Sequence, residues 1–326
     1  MKRSLKTAAA LLFTMAGSLT APISHATDYR WLSGWDNNYP AMPYTLEPFI
    51  KGVESGTNGS IRIIRSGPET VAAFEQLQPV ASGAFQFLFT SGAYHFGTTP
   101  MLTAIEAIGG TAEQRLASGI FELVDRHYQK IGLKLIAVPM SADGGYGIIL
   151  KQPPTPAGDL QGRKIRATPS YTGVLKMLGA AQVQLPPGEI YSALDKGVVD
   201  GAAWPVLGPL AYRWYEVAKY VLRPGMGFVT QPILMNLAAW NRLTATEKKV
   251  LADEAHKIEI SWPRESARLV QEEEAALVAK GMTIVQMGES QRAKMKAAWS
   301  EGLWEMAIAK SKDIEEVRNF ARAKGL

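Results

Sequence analysis

The chain has 326 residues, a formal net charge of +5 and no cysteine. The lack of cysteine excludes disulfides, thiol nucleophiles and thiolate metal ligands. Three of the basic residues lie in the first six positions, so the rest of the chain carries only +2, which does not favour nucleic acid as a partner. A chain of this length and average polarity favours two lobes of roughly 100–150 residues each.

The N-terminus has the three-part pattern of a secretory signal peptide. Three basic residues precede the apolar run Ala8–Gly17, and Ser24-His25-Ala26 supplies small residues for a cleavage site. The run is shorter than the ~20 residues that cross a bilayer, and no later stretch is long and apolar enough to do so. We therefore exclude residues 1–26 from the fold and expect an exported, periplasmic protein that begins near Thr27.

Short β-type runs alternate with helix-type periodicity in the first part of the mature chain. Apolar residues at Leu46, Phe49, Ile50 and Val53 predict one face of a helix. Thr111 and Gln114 match a capping box, which predicts a helix that continues to Gly132. The strands predicted in this region are Tyr29–Leu32, Ser60–Ile64, Phe85–Phe89 and Leu133–Val138.

The same alternation continues through the middle of the chain. The predicted strands are Ile148–Leu150, Lys164–Ala167 and Gln182–Leu185, with a strand end and turn at Val198–Gly201. Helices are predicted around Tyr171–Leu178 and from Pro187 to about Lys196. This order favours an α/β fold with largely parallel sheets.

The C-terminal part has mainly helical periodicity. Thr244 and Glu247 form a second capping box, and helical character then extends to about Lys280. Pro263 lies inside this segment, so we expect it to kink or split the helix. Further helices are predicted near 291–309 and 314–323.

The most specific signature lies in the middle of the chain. It consists of Asp159–Arg166 (DLQGRKIR), Leu178–Ala180 (LGA), Gln184–Leu194 (QLPPGEIYSAL) and Lys196–Gly201 (KGVVDG). In this order the segments resemble the central region of the solute-binding proteins of tripartite ATP-independent periplasmic (TRAP) transporters. The predicted signal peptide and long helix are similar to the family as well, so the resemblance covers nearly the whole mature chain.

The resemblance implies an α/β, two-lobed periplasmic binding protein, a clamshell whose lobes close over a ligand and are spanned by a long helix. We expect the first lobe to comprise 27–143 and about 231–262, and the second to comprise about 144–230 and 263–310. Residues 311–326 would form a C-terminal helix.

By the same resemblance, Arg166 would make a two-pronged contact with a ligand carboxylate. Its place after a predicted strand supports this role, because ligands bind beyond the carboxyl ends of strands in open α/β sheets. Trp204 matches a ligand-contacting position of the family, although core packing explains it equally well. Some relatives hold a metal ion with an acid immediately before this aromatic residue. Here that residue is Ala203, so we expect no metal.

Tyr146 stands where some family members carry a second arginine in the cleft. Tyrosine offers a hydroxyl and an apolar ring instead of a charge, which favours a ligand with one carboxylate and an apolar body. The other candidate ligand-binding residues, each of which could equally be structural, are Phe74, Tyr94, Tyr171, Phe228, Asn236 and Glu69.

The expected activity is therefore capture of a small organic carboxylate and its delivery to membrane permease subunits. A monocarboxylate with an apolar or aromatic body, or a 2-oxo or 2-hydroxy acid, is preferred. We expect a monomer without cofactor or catalytic residues, which does not insert into the membrane. Two alternatives stay open: a ligand-sensing extracytoplasmic subunit of a signalling system, and a periplasmic hydrolase whose base and nucleophile meet only in space.

Overall fold

The strands of residues 27–326 belong to two separate sheets. A computed structural model describes residues 27–326, so the predicted signal peptide lies outside the described residues. The strands are β1 (Thr27–Ser33), β2 (Ile61–Ser66), β3 (Phe87–Phe89), β4 (Leu133–Ala137), β5 (Tyr146–Leu150), β6 (Lys164–Arg166), β7 (Ala181–Val183), β8 (Gly201–Pro205), β9 (Tyr220–Met226), β10 (Ile233–Asn236) and β11 (Thr283–Gln286).

Helices cover both sheets. They are α1 (Leu46–Gly56), α2 (Leu77–Ala81), α3 (Met101–Ala104), α4 (Ala112–Ser118), α5 (Ile120–Gln129), α6 (Thr172–Met177), α7 (Ile190–Asp195), α8 (Leu237–Arg242), α9 (Ala245–Ala279), α10 (Glu289–Lys310) and α11 (Ile314–Ala323). In the described part of the chain, no helix combines the length and the apolarity needed to cross a membrane.

The first lobe contains the sheet β2-β1-β3-β10-β4, and the second contains β11-β9-β5-β8-β6-β7. The α/β class is confirmed, and the sheets are largely parallel as predicted, because only one strand in each sheet runs against the others. β10 is antiparallel to β3 and β4, and β5 is antiparallel to β8 and β9. Both β5 and β10 follow a passage of the chain from one lobe to the other, and each enters its new sheet against the direction of its neighbours.

Local signals in the sequence were accurate where neighbouring residues determine the structure. The residues predicted to form the inner face of α1 are the ones that it buries. Both capping boxes are present, at Thr111 before α4 and at Thr244 before α9. Each satisfies N–H groups that would otherwise lack an acceptor at the start of a helix.

Two boundaries differ from the predictions. The helix expected from Thr111 to Gly132 is interrupted at Gly119, which has a φ of +83° and separates α4 from α5. A left-handed glycine ends a helix without steric cost. In addition, Gly201 begins strand β8 instead of ending one. Trp204 therefore lies inside a strand, directly before its last residue.

Two crossing segments link the lobes side by side. The segment between β4 and β5 runs antiparallel to the segment between β9 and β10. The Ser141 N–H donates to the Val229 carbonyl, and the Gly145 N–H donates to the Gly227 carbonyl, each at 2.9 Å. The chain passes between the lobes through only a few residues here, and we call this short ladder the hinge.

Helix α9 spans both lobes and supports the hinge. It has 35 residues and continues through Pro263, so the predicted split does not occur. Three buried side chains along it accept hydrogen bonds from backbone N–H groups: Glu259 from Val138, Ser266 from Ala142, and Glu273 from Gly208. These partners belong to the end of the first sheet, the hinge and the second lobe, so a single helix fixes all three regions.

Candidate ligand-binding cleft

The side chain of Arg166 is held between the lobes by backbone carbonyl groups. Arg166 ends β6 and is 1% exposed. Its Nε and Nη2 donate to the Leu185 carbonyl oxygen at 3.0 and 2.8 Å, and its Nη1 donates to that of Ala203 at 3.2 Å. Because a guanidinium has five N–H groups, one N–H on each terminal nitrogen remains. Two such donors match the two oxygens of a carboxylate.

In the described part of the chain, no acidic side chain neutralises this cation. Throughout residues 27–326, Arg166 takes part in no ion pair with Asp or Glu. Burial lowers the pKa of Arg166, while the hydroxyl groups of Tyr94 and Tyr171 act in the opposite direction. Arginine nevertheless remains protonated in proteins. A buried charge without a partner is costly, so the cleft is suited to a ligand that supplies a negative charge.

Aromatic side chains from both lobes surround the guanidinium. Trp204 places its ring 5.2 Å from the Arg166 guanidinium carbon, within the range of a cation–π interaction. From the first lobe, the Tyr94 ring packs against Phe74 at 5.1 Å and against Trp35 at 5.7 Å between centroids. The predicted residues Trp204, Tyr94 and Phe74 therefore line one region, and they give it flat apolar walls.

The remaining predicted tyrosines belong to a buried polar cluster beside the cleft. The Tyr146 hydroxyl donates to Glu106 Oε1 at 2.7 Å, and Ser170 and Thr230 donate to the same carboxylate at 2.6 and 3.0 Å. Burial raises the pKa of Glu106 to about 7, although these hydrogen bonds oppose the rise. Tyr171 packs edge-on against Tyr146 at 5.5 Å. The Tyr146 hydroxyl is thus engaged by Glu106, which sequence reasoning missed.

Three predicted residues have other roles in the structure. The Phe228 ring lies 4.9 Å from the Arg115 guanidinium carbon, in the apolar core of the first lobe. Glu69 is exposed, and its carboxylate accepts a hydrogen bond from the Gly67 N–H at 2.7 Å. Because these side chains interact with groups other than those around Arg166, we leave both out of the proposed site.

Asn236 has a structural role as well. Its Oδ1 accepts a hydrogen bond from the Ala239 N–H at 2.9 Å, which caps α8. Its Nδ2 donates to the carbonyl oxygens of Val80 and Ala81 in α2, at 3.0 Å each. With its amide donating and accepting in this way, Asn236 joins two helices of the first lobe, and we leave it out of the proposed site too.

Further residues of the cleft had no signal in the sequence. Tyr39 stacks on Trp35 with ring centroids 4.7 Å apart, and Gln231 Nε2 donates to the Tyr39 hydroxyl at 2.9 Å. From the second lobe, Tyr212 reaches across to Asp36 at 3.5 Å. The contacts of Tyr39 with Gln231 and of Tyr212 with Asp36 join residues 192 and 176 positions apart, so no local motif could have revealed them.

Two lobes on a hinge, with a buried cation between them, define the class of two-lobed solute-binding proteins. The sequence model described as "Bacterial extracellular solute-binding protein, family 7" matches residues 34–310. The chain belongs to this family, and the predicted relation to TRAP transporter solute-binding proteins is confirmed.

Relatives agree with this assignment. A monocarboxylate 2-oxoacid-binding periplasmic protein of Nostoc sp. is 29% identical over 233 residues, which are 66% of this chain and 61% of that protein. The alignments with the first curated relatives span only 39–62% of those proteins' lengths.

Solved structures show the same fold. The Bordetella pertussis receptor DctP7, which binds pyroglutamic acid, has a TM-score of 0.78 at 17% identity, with 91% of this chain and 100% of that chain covered. A TRAP solute-binding protein of Desulfovibrio salexigens with bound orotic acid has a TM-score of 0.81 at 18% identity, covering 91% and 98%.

Proposed function

We propose that this protein is the periplasmic solute-binding subunit of a TRAP transporter and captures a small organic monocarboxylate. The ligand would bind between the lobes, which close over it, and would be delivered to the membrane permease subunits. The observation that carries this proposal is Arg166, a buried cation with two N–H groups left for a carboxylate and no acidic partner in residues 27–326.

The surroundings of Arg166 favour one carboxylate over two. The groups beside it are the aromatic rings of Trp204 and Tyr94 and the phenol of Tyr171. Where some relatives carry a second arginine, Tyr146 donates to Glu106. A ligand with one carboxylate and an apolar or planar body therefore fits best, since flat apolar walls and a few placed polar groups are typical of small-ligand sites.

The ligands of similar proteins support this proposal. The Nostoc relative is named for binding monocarboxylate 2-oxoacids, and two of the structural neighbours hold pyroglutamic acid and orotic acid. All of these are carboxylic acids with a single carboxylate. An aromatic or cyclic acid and a 2-oxo or 2-hydroxy acid are accordingly the first candidates to test here.

Thermal-shift screening of organic acids tests the proposal. A ligand that binds only the folded protein raises the melting temperature by mass action. We expect monocarboxylates to raise it and neutral sugars to leave it unchanged. Arg166→Met should weaken binding of the best acid by about 2–5 kcal/mol, which is roughly 30- to 5,000-fold.

Arg163 provides a matched control. It lies on the same stretch of chain but outside the cleft, where its guanidinium donates to the carbonyl oxygen of Gln152 at 2.7 Å. Arg163→Met should keep the thermal shift. The proposal fails if no monocarboxylate binds, or if Arg166→Met folds and binds the acid as well as the unchanged protein does.

A further inference from the structure

The carboxylate of Glu106 connects the two lobes. Glu106 lies in the short turn between α3 and α4, and its neighbour Ile105 is packed in the apolar core of the first lobe. Two of its hydrogen-bond donors belong to the second lobe: Tyr146 begins β5, and Ser170 lies in the turn that follows β6. The side chain therefore extends from its own lobe and is held by the other one.

A third donor lies on the side of the first lobe. Thr230 comes shortly before β10 and pairs with Met140, at the end of the hinge that is nearest the first sheet. Its hydroxyl donates to Glu106 Oε1 at 3.0 Å, whereas the Ser170 hydroxyl donates to Oε2 at 2.6 Å. Both hydroxyl-bearing residues are buried. The same carboxylate thus accepts one bond that stays with the first lobe and another that crosses between the lobes.

The crossing bond acts on the segment that carries Arg166. Ser170 follows Arg166 by four positions and directly precedes Tyr171. Burial is the largest cause of the lowered pKa of Arg166, and the hydroxyl groups of Tyr171 and of Tyr94 in the first lobe oppose it, so both hydroxyls lie close to the guanidinium. A bond from Ser170 to Glu106 therefore holds this segment against the first lobe, beside the residues proposed to surround the ligand.

The two bonds differ in what separation of the lobes would do to them. Ser170 would move away from Glu106 with the second lobe, while Thr230 would stay beside it. Hydrogen bonds to an ionised acceptor are stronger than those between neutral groups. A contact that exists in only one of two arrangements shifts the equilibrium toward that arrangement. The Ser170 bond therefore favours the arrangement in which the lobes meet, and the Thr230 bond does not affect this balance.

We infer that Glu106 is a clasp between the lobes, which accepts a hydrogen bond from Ser170 and so slows release of the carboxylate held by Arg166. Glu106 acts through Ser170 and the segment 166–171 instead of contacting the solute, so it is a positioning residue. This inference rests on the proposed function and deepens it, because it names a residue that controls how long the solute stays bound.

Dissociation rates of a bound monocarboxylate test the inference, with Ser170→Ala and Thr230→Val as matched variants. Each variant removes one buried hydroxyl that donates to Glu106, so both should lower the melting temperature of the ligand-free protein to a similar extent. The probe is whichever of pyruvate, pyroglutamate and orotate raises the melting temperature of the unchanged protein most.

Stopped-flow measurements then separate association from dissociation. We expect Ser170→Ala to release the probe at least about tenfold faster, which corresponds to the loss of one hydrogen bond to a charged group. Its association rate should change by less than about threefold, because the clasp forms only after the lobes meet. Thr230→Val should change the dissociation rate by less than about threefold.

A double-mutant cycle shows whether Ser170 acts through Glu106. In the Glu106→Ala background, Ser170→Ala should change the dissociation rate by less than about twofold. A full effect of Ser170→Ala in that background would overturn the inference. If Glu106→Ala does not fold, the two single variants still decide the outcome.

Two results from the single variants would overturn the inference and leave the proposed function intact. One is a folded Ser170→Ala protein that releases the probe at the unchanged rate. The other is a Thr230→Val protein that releases it as fast as Ser170→Ala does. If no monocarboxylate binds the unchanged protein, the proposed function fails and the inference fails with it.

Discussion

Glu273 holds the chain segment after Trp204 against helix α9. The carboxylate is 6% exposed, and it accepts hydrogen bonds from the Gly208 N–H at 2.9 and 3.0 Å and from the Leu210 N–H at 2.9 Å. Gly208 must approach closely here, since a Cβ at this position would lie 2.7 Å from Trp204 Nε1. The carboxylate therefore fixes the wall of the cleft that carries Trp204.

Replacement of Glu273 by alanine should destabilise the protein substantially. Each hydrogen bond to a charged group contributes about 1.5–3 kcal/mol, and two N–H groups would lose their acceptor. Relief of the buried carboxylate offsets part of this loss, because burial raises the pKa of Glu273 to about 7. We expect the free energy of unfolding to fall by about 2–4 kcal/mol, and ligand affinity to fall as Trp204 loses its support.

Urea denaturation followed by tryptophan fluorescence measures the effect, with Glu272→Ala as the control. Glu272 is the preceding residue of the same helix, but it is exposed and pairs with Arg268 at the surface, where such pairs contribute only about 0–1 kcal/mol. The reasoning is refuted if Glu273→Ala unfolds within about 0.5 kcal/mol of the unchanged protein, or if Glu272→Ala loses as much stability.

Three other predictions concern single side chains. Asn236→Ala should lower the free energy of unfolding by about 1–3 kcal/mol, because the cap of α8 and two bonds to α2 disappear together; urea denaturation tests this. Trp204→Leu should weaken binding of the best carboxylate by about 1–2 kcal/mol while the protein stays folded, and a titration that shows unchanged affinity would contradict it. Glu106 has a pKa raised from 4.5 to about 7, so the folded state retains this proton at pH values where the unfolded state releases it. The stabilisation that protonated Glu106 contributes is complete below about pH 4.5 and is lost as the pH rises to 7. Glu106→Gln should therefore flatten the dependence of the melting temperature on pH in this range. An unchanged slope in the variant would contradict the prediction.

The sequence predicted the parts of the fold that short-range patterns determine. The burial of Leu46, Phe49, Ile50 and Val53 follows from their spacing alone, and the capping boxes follow from two residues each. The predictions were wrong where contacts between distant segments determine the structure. The periodicity of the residues around Gly119 is helical on both sides, and only packing determines that the helix breaks there.

The candidate site divides in the same way. Arg166 could be found because an ordered motif surrounds it, and Trp204 and Tyr94 could be found because they lie near predicted element ends. The partners of Glu106 are 40, 64 and 124 residues away in the chain, and Gln231 is 192 residues from Tyr39. These partners are too far apart in the chain for a local sequence pattern to reveal them, because only the folded chain brings them together.

The position of Glu106 explains how a buried arginine can remain available to a ligand. Both side chains act on Tyr171: Arg166 lowers the pKa of its hydroxyl and Glu106 raises it, although burial is the largest cause of its upward shift. An acid this close could pair with Arg166 and leave a bound carboxylate without a partner. Three hydroxyl groups instead donate to the Glu106 carboxylate, among them that of Ser170, the direct neighbour of Tyr171. Because the protein's own carboxyl group is engaged in this way, the positive charge of Arg166 is left without an acidic partner in residues 27–326, which is what the proposed function requires.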